Sequence, residues 1–145
     1  MRVVVDTNVF VSACIGKGPS SNILELCLAG HLEPVIGHAL FSEYRDLLSR
    51  TDLFKAARLN NSERRMVFRA FLSRCSWQSV YFGWRPNLLD ESDNHVMELA
   101  IAANVTIIIT NNIRDFRNAD LLFPQIRILP PDKFLKEQGH ERSDN

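Results

Sequence analysis

The chain has 145 residues, a length that suits one domain with a complete hydrophobic core. Apolar residues make up 46% of it, which argues against wholesale disorder. Its 17 basic and 17 acidic residues cancel, which excludes a whole-molecule attraction to nucleic acid but leaves room for a local basic face.

Neither a membrane span nor a secretory signal is expected. No run of about eighteen apolar residues is present, and the N-terminus has no charged segment followed by a long apolar stretch. Cys14, Cys27 and Cys75 lie in apolar surroundings without CxxC spacing, so we expect buried, reduced thiols. These features predict a cytoplasmic protein without membrane contact.

The first predicted element is a buried strand that ends in an acid. Val3–Val5 are three consecutive β-branched residues, and Asp6 follows them directly, with the polar Thr7 and Asn8 after it. In open α/β sheets, ligands bind at the carboxyl ends of the strands. Asp6 is therefore a candidate site residue, although this position also suits a carboxylate that only caps a turn or a helix.

Three further elements bring a second acid to the same edge. We expect a helix that begins just after Pro19 with a serine cap, a short strand over residues 34–37, and a helix over residues 38–48 with one apolar face. Glu43 lies in the first turns of that last helix, just beyond the end of a strand. It is predicted to lie at the same sheet edge as Asp6.

Residues 51–75 are predicted to be helical and basic. Ser62 is expected to start a helix whose apolar stripe is formed by Met66, Val67, Ala70 and Phe71. A charge run of this kind is usually a solvated helix face, but five arginines within residues 58–74 also suit contacts with phosphate groups. The candidates for phosphate contact are Arg58, Arg64, Arg65 and Arg69.

A third strand is predicted over residues 77–81, followed by a polar, acidic loop over residues 87–94. The next helix is expected to bury Val96, Met97, Leu99, Ala100 and Ala103. Asp90 lies in the acidic loop, and Asp93 comes at the start of the helix, where the backbone amides and the macrodipole favour a negative charge. A third acid is therefore predicted at a helix N-terminus.

The most strongly strand-like segment of the chain covers residues 105–110 and ends at Thr110. Asn112 and Asp115 follow it, again at a carboxyl end. A short last strand is predicted over residues 127–129, then one helical turn over residues 132–135 and a frayed end. We therefore expect one domain over residues 1–135 and a flexible tail over residues 136–145.

Strands that alternate with helices predict a parallel sheet with helices on both faces. All strands of such a sheet present their carboxyl ends on one side, so acids that are distant in sequence meet in space. Clustered carboxylates repel one another, and a hard cation such as Mg²⁺ or Mn²⁺ relieves that repulsion. Such an ion also activates water and stabilises charge on phosphorus.

Four motifs in this order resemble the PIN-domain ribonucleases, and most of all the VapC-like toxins of bacterial toxin–antitoxin pairs. They are Asp6-Thr7-Asn8-Val9 after the valine strand, Ser42-Glu43 in the second helix, Asp90-Glu91-Ser92-Asp93-Asn94 before Met97-Glu98-Leu99-Ala100, and the segment from Ile109 to Phe116. The resemblance covers about residues 1–131. It implies a three-layer PIN-like fold with a mostly parallel central sheet of about five strands.

The resemblance also implies an activity and a site. It implies an endonuclease for single-stranded RNA that needs Mg²⁺ or Mn²⁺, leaves a 5′-phosphate and a 3′-hydroxyl, and pairs with an antitoxin protein; homodimers are the family habit. Asp6, Glu43 and Asp93 match the three core acids, as catalytic residues and metal ligands. Thr7, Asn8, Asp90 and Thr110 are the supporting polar residues, and the four arginines are the candidates for RNA contact.

The chain departs from the family pattern at one position. Many relatives carry a fourth acid two residues after the threonine that matches Thr110, and here that residue is Asn112. An amide oxygen can still bind a metal, but it brings no negative charge. Asp115, three residues further on, is a candidate to compensate, so Asn112 and Asp115 remain candidate metal ligands.

Two alternative functions remain open. A PIN fold that has lost cleavage and only binds RNA or an antitoxin is suggested by Asn112. A haloacid-dehalogenase-like phosphohydrolase would use Asp6 as a covalent nucleophile, but that pattern needs an acid two residues later, where this chain has Asn8.

Overall fold

The computed structural model describes the backbone of residues 1–80, 91–116 and 123–143. It also describes the side chains in these ranges, except those of residues 91–94, 115 and 140–143. The strands are β1 (Arg2–Val5), β2 (Glu33–Ile36), β3 (Ser76–Trp77), β4 (Ile107–Ile109) and β5 (Arg127–Leu129). The helices are α1 (Thr7–Ile15), α2 (Pro19–Leu28), α3 (His38–Leu48), α4 (Asn61–Arg74), α5 (Glu91–Ala102) and α6 (Pro131–Ser143), with 3₁₀ turns at Thr51–Phe54 and Ile113–Phe116.

The five strands form one sheet in the order β3-β2-β1-β4-β5, and every pairing in it is parallel. The predicted fold class, a three-layer α/β fold around a mostly parallel sheet of about five strands, is confirmed. The chain leaves β1 in one direction, to β2 and β3, and returns on the other side, to β4 and β5. The crevice at the carboxyl ends of β1 and β4 is therefore the topological switch point, where ligands bind in folds of this type.

The core lies between the sheet and its helices. Val3 and Val4 of β1 and Ile108 of β4 are fully buried, and α5 packs against β1, β2 and β4. α2 contacts α1, α4 and α6. The predicted buried side of α5, from Val96 to Ala103, is confirmed.

Helix α1 follows β1 without a loop, and the sequence analysis did not predict it. Its segment, from Thr7 to Ile15, is rich in β-branched residues, which favour strands. Tertiary packing overrides that preference, because the helix buries Val9, Phe10, Ala13 and Cys14 and packs against α2 and α3. Asp6 adds an N-cap, since its carboxylate accepts a hydrogen bond from the Thr7 amide (2.8 Å). Asp6 therefore does cap a helix, one of the two roles considered for it from the sequence.

The predicted start of α4 is wrong, and so is half of its predicted apolar stripe: Phe71 is buried and Val67 packs against the core, but Met66 and Ala70 are exposed. Asn60, not Ser62, caps the helix, and its side chain and that of Glu63 satisfy each other's backbone amides. Met66 is 69% exposed, whereas Arg64 is buried with its guanidinium 4.2 Å from the centre of the Phe54 ring. A cation–π contact thus takes Arg64 to the inner face of the helix, which hydrophobic periodicity alone does not predict.

Three smaller expectations also differ from the structure. β3 is only two residues long, and Tyr81 at the end of the predicted strand lies outside the described residues. Helix α2 begins at Pro19, and Ser21 bonds Gly18 from the third helical position instead of serving as the N-cap. α6 is a helix of 13 residues where one turn was predicted. The division into a domain over residues 1–135 and a tail stays a prediction.

The three cysteines are free thiols, as expected, and Cys14 and Cys27 are buried. Burial raises the pKa of the Cys27 thiol to about 12, so this group stays protonated near neutral pH. No helix in the described part of the chain is long and apolar enough to cross a membrane.

Candidate active site at the switch point

Asp6 occupies the centre of the switch point. It follows β1 directly, its backbone amide bonds the Ile109 carbonyl of β4 (2.9 Å), and its side chain is only 4% exposed. Besides the bond from the Thr7 amide to Oδ1, its Oδ2 accepts hydrogen bonds from Thr110 Oγ1 (2.9 Å) and Asn8 Nδ2 (3.2 Å). These donors stabilise the charged form of a carboxylate that is almost removed from water.

Thr110 and Asn8 are linked to each other as well as to Asp6. Thr110 Oγ1 accepts from Asn8 Nδ2 (3.2 Å) and from the Asn112 backbone amide (3.0 Å) while it donates to Asp6. Thr110 is fully buried at the end of β4. Two of the predicted supporting residues therefore lie beside Asp6, where they fix the rotamer of its carboxylate.

Glu43 reaches the same place from α3. Thr7 Oγ1, at the start of α1, donates a hydrogen bond to Glu43 Oε1 (2.9 Å). Since the Thr7 amide bonds Asp6, one residue contacts both acids. Two of the three predicted core acids are thus brought together, with Thr7 between them.

Tyr44 ties the helix that carries Glu43 to the strand that carries Asp6. Its hydroxyl donates to the Val5 carbonyl (2.7 Å), and the residue is 1% exposed. Burial, and secondarily the charge of Asp6, raise the pKa of Tyr44 well above its usual value, so the phenol remains a donor. The sequence predicted one apolar face for this helix but not this contact, although the position of Tyr44 next to Glu43 was a usable signal.

Asn111 is a second residue that the prediction missed. Its backbone amide donates to Asn8 Oδ1 (3.0 Å), which fixes the Asn8 amide so that Nδ2 points to Asp6 and Thr110. Its own side chain donates to Ser20 Oγ of α2 (3.4 Å). The signal was its place in a polar run at a carboxyl strand end.

Only the backbone of the third predicted acid, Asp93, is described, as part of helix α5. α5 runs toward the amino edge of the sheet, where the Ala103 carbonyl just after it accepts a hydrogen bond from Arg2 Nη1 (2.9 Å) at the start of β1. The opposite end of α5 therefore points back toward the carboxyl edge. Asp93, the third residue of the helix, lies at that end.

The remaining predicted acids are described in part or not at all. Asp90 lies outside the described residues, and of Asp115 only the backbone is described, in the 3₁₀ turn after β4. Asn112 is exposed, and its backbone amide ties it to Thr110. Among the predicted acids, the structure therefore describes the side chains of Asp6 and Glu43.

The four candidate arginines fall into two groups. Arg58 Nη2 donates to the Ala13 carbonyl of α1 (3.0 Å). Arg64 Nη1 donates to the Leu59 carbonyl in the segment just before α4 (2.8 Å), so both arginines form hydrogen bonds within the protein. Arg64 is 7% exposed, which leaves it no room to contact a ligand directly. Arg65 and Arg69 are exposed on α4.

The donor set suits a hard cation. Asp6 and Glu43 offer carboxylate oxygens and Asn112 an amide oxygen, which are the ligand types of Mg²⁺ and Mn²⁺. In the part of the chain with described side chains, no three residues among His, Cys, Asp and Glu form a group that could hold a metal ion. Asp93 stays the predicted third acid, with only its backbone described.

Comparisons with known proteins show the family and the fold of the chain. A family model described as PIN domain matches residues 2–114. The fold also matches a chain in the crystal structure of VapBC2 from Rickettsia felis bound to a DNA fragment from their promoter, with a TM-score of 0.58 and 20% identity over 90% of this chain and 98% of that one. At this identity the similarity concerns the fold. A comparison with curated proteins finds no match.

Proposed function

The chain belongs to the PIN domain family, whose members are nucleases, and from this premise we propose that it is a metal-dependent endonuclease for single-stranded RNA. One observation carries the proposal. Asp6 and Glu43, from different elements, meet at the topological switch point on either side of Thr7. Two ordered carboxylates at a ligand-binding edge are what binding of a divalent cation beside a phosphodiester requires.

Asp6, Glu43 and Asp93 are the residues that would hold the ion. When bound, Mg²⁺ or Mn²⁺ supplies charge stabilisation at phosphorus and a water of lowered pKa. Thr7 holds the Glu43 carboxylate toward Asp6, and Thr110 and Asn8 keep the Asp6 carboxylate in one rotamer. This preorganisation means that little rearrangement of the protein accompanies the reaction.

The proposal extends to a biological role. We propose that the chain is the toxin of a toxin–antitoxin pair, with RNA as its substrate, an antitoxin protein as its partner and a homodimer as its assembly. The motifs that resemble VapC-like toxins support this, as does the structural similarity to a chain of VapBC2. Co-expression with the product of the adjacent gene, followed by co-purification, tests the partner.

Glu43→Gln gives the sharpest test of the chemistry. Glutamine retains an oxygen that can accept from Thr7 Oγ1, so the fold should survive while one negative ligand is lost. With Mg²⁺ or Mn²⁺ present, we expect cleavage of a single-stranded RNA to fall by at least about 100-fold, because the ion contributes several kcal/mol to the transition state. Glu33→Gln is the matched control: Glu33 is exposed and lies at the amino edge of β2. Equal loss in both variants would refute the proposed site.

A second measurement does not depend on activity. A ligand that only the folded state binds raises the melting temperature. We expect Mn²⁺ to raise it for the wild type and for Glu33→Gln, and much less for Glu43→Gln, Asp6→Ala and Asp93→Asn. A shift that persists in Asp6→Ala would place the ion elsewhere.

One alternative keeps the fold but removes cleavage. Asn112 in place of a fourth acid favours a weakened PIN fold that only binds RNA or an antitoxin. Such a protein would bind RNA but leave it intact at every Mg²⁺ and Mn²⁺ concentration. The phosphohydrolase alternative is weakened by Asn8, whose amide donates to Asp6 where that mechanism needs an acid.

A further inference from the structure

An exposed aromatic surface lies at the carboxyl ends of the strands, near the candidate active site. Trp77 at the end of β3 is 57% exposed, an unusual fraction for so large an apolar side chain. Its ring lies 6.3 Å from that of Phe41 on α3, and the Arg45 guanidinium lies 5.7 Å from the Phe41 ring centre on the same helix. We call Trp77, Phe41 and Arg45 the aromatic platform.

The platform lies at the same edge of the sheet as the candidate active site. Trp77 is in register with Ile36 at the end of β2, and β2 is the neighbour of β1, which ends in Asp6. Two strand spacings separate Trp77 from the end of β1, about 10 Å across the sheet. Phe41 and Glu43 are two residues apart on α3, so their side chains lie on opposite flanks of that helix. The platform therefore lies across α3 from Glu43, at the same edge of the sheet.

A positively charged groove continues from the platform between α3 and α4. It has a volume of about 410 Å³ and is lined by Arg45, Leu48, Ser49, Thr51, Asn61, Arg64, Arg65 and Phe68. Phe68 stacks on Phe41, with ring centres 6.2 Å apart and planes 22° apart, so platform and groove form one surface. We call this the arginine groove.

No acid lines the arginine groove. Its lining contains three arginines, and the ion pairs among the described residues involve Arg2, Arg50 and Arg127 instead. Arg45 and Arg65 are exposed, whereas Arg64 is only 7% exposed and lies beneath them, with its guanidinium on the Leu59 carbonyl and the Phe54 ring. In a chain of zero net charge, this concentration of positive charge favours a polyanion.

We propose that the aromatic platform and the arginine groove bind single-stranded RNA, with a base outside the cleavage site stacked on Trp77 and the phosphates that follow it in the groove. Exposed aromatic rings can stack on unpaired bases, and the arginines beside them can bind the phosphate backbone. An acidic peptide or a free phosphate would contact the arginines but has no base to stack on the rings. The inference rests on the proposed nuclease function for the direction in which the RNA runs.

Binding is measured without metal, so that it is independent of cleavage. The probe is a fluorescent single-stranded oligoribonucleotide in EDTA, titrated with the full chain. We expect Trp77→Ala to weaken binding by about tenfold and Trp77→Phe to restore most of it, because one base–aromatic contact is lost and regained. Met66→Ala is the matched control, since Met66 is exposed on α4 but does not line the groove.

The groove is tested through its salt dependence. Arg45→Gln and Arg65→Gln should each weaken binding and lower the slope of log K against log salt by about 0.7, the value for one phosphate contact in a single strand. Lys136→Gln, which removes an exposed cation on α6, should leave both unchanged. Unfolding curves of all variants check that they are folded.

The outcomes separate this inference from the proposed function. If Glu43→Gln abolishes cleavage but Trp77→Ala and the arginine variants bind RNA like the wild type, the surface is wrong and the nuclease stands. If binding falls as predicted but no metal supports cleavage, the surface stands and the nuclease is wrong. If Trp77→Ala changes only the sedimentation of the protein, the surface is a protein interface and the RNA assignment is overturned.

Discussion

The two acids described at the switch point are held in different ways. Asp6, 4% exposed, accepts hydrogen bonds from the Thr7 amide, Asn8 and Thr110, and the last two also bond each other. Glu43 is half-buried on α3, which is joined to the first residue of α1 by the Thr7 hydroxyl and to β1 by the Tyr44 hydroxyl. The described network around Asp6 connects β1 and β4, and we expect the α3 side to adjust more easily than this β1–β4 side.

The two sides should differ in how far a substitution affects stability and how far it affects function. On the β1–β4 side the hydroxyl of Thr110 is buried within a connected network, so its removal affects the fold and the site together. On the α3 side the connecting groups act mainly on the distance between Glu43 and Asp6. Substitutions there should affect metal affinity more than the free energy of unfolding.

Thr110→Val should have the largest effect on stability. Valine keeps the β-branched shape at this fully buried position but removes the hydroxyl that bonds Asp6 and accepts from Asn8 and Asn112. We expect a loss of about 2 kcal/mol in the free energy of unfolding, measured with urea, because buried polar groups lose a partner. Thr106→Val, at an exposed position before β4, is the control. An equal change in both would mean that the network adds nothing.

Tyr44→Phe should have a smaller effect on stability and a clear one on metal binding. The ring and its packing remain, and only the bond to the Val5 carbonyl is lost. We expect a loss of about 1 kcal/mol in the free energy of unfolding. The Mn²⁺ concentration that gives half of the thermal shift should rise, because α3 is no longer fastened to β1. An unchanged Mn²⁺ titration would limit Tyr44 to a structural role.

Thr7→Val tests the α3 side from the other direction. It removes the hydroxyl that reaches Glu43 but keeps the backbone amide that bonds Asp6. The free energy of unfolding should fall by only about 0.5–1 kcal/mol, while the Mg²⁺ needed for half-maximal cleavage rises. Thr106→Val, the same substitution at an exposed position before β4, should change neither. If Thr7→Val costs as much stability as Thr110→Val, the proposed difference between the two sides does not exist.

Much of the frame was predictable because its signals are local. Three consecutive valines before Asp6 and the isoleucines of β4 predict buried strands, and their alternation with helices predicts a parallel sheet whose carboxyl ends converge. The same pattern brought Asp6, Glu43 and Thr110 into one candidate site. The family motifs then ordered these residues.

What sequence analysis missed depends on contacts between distant residues. α1 was missed because its packing against α2 and α3, together with the Asp6 cap, overrides the strand preference of the segment. The inward position of Arg64 needs the ring of Phe54, and the role of Tyr44 needs the carbonyl of Val5. Local periodicity does not encode such pairings, because it reports which face of an element is apolar and not what that face meets.

The smallest expected effect on stability concerns Asn112, the departure from the family pattern. Its backbone amide donates to Thr110 Oγ1, which holds the backbone of Asn112 beside the end of β4. Its side chain is exposed. Asn112→Asp adds a negative charge near the other carboxylates. Without metal it should destabilise the fold by a few tenths of a kcal/mol, since repulsion at an exposed position is weak.

With metal the sign should reverse, because Mg²⁺ prefers charged oxygen ligands. The Mg²⁺ needed for half-maximal cleavage should then fall in Asn112→Asp and stay constant in Asn104→Asp, which places the same charge at an exposed position before β4. If Asp115 already supplies the missing charge, Asn112→Asp should change little and Asp115→Asn should weaken cleavage strongly. If neither variant alters the Mg²⁺ titration, the end of β4 contributes only the Thr110 network, and the metal is held by Asp6, Glu43 and Asp93 alone.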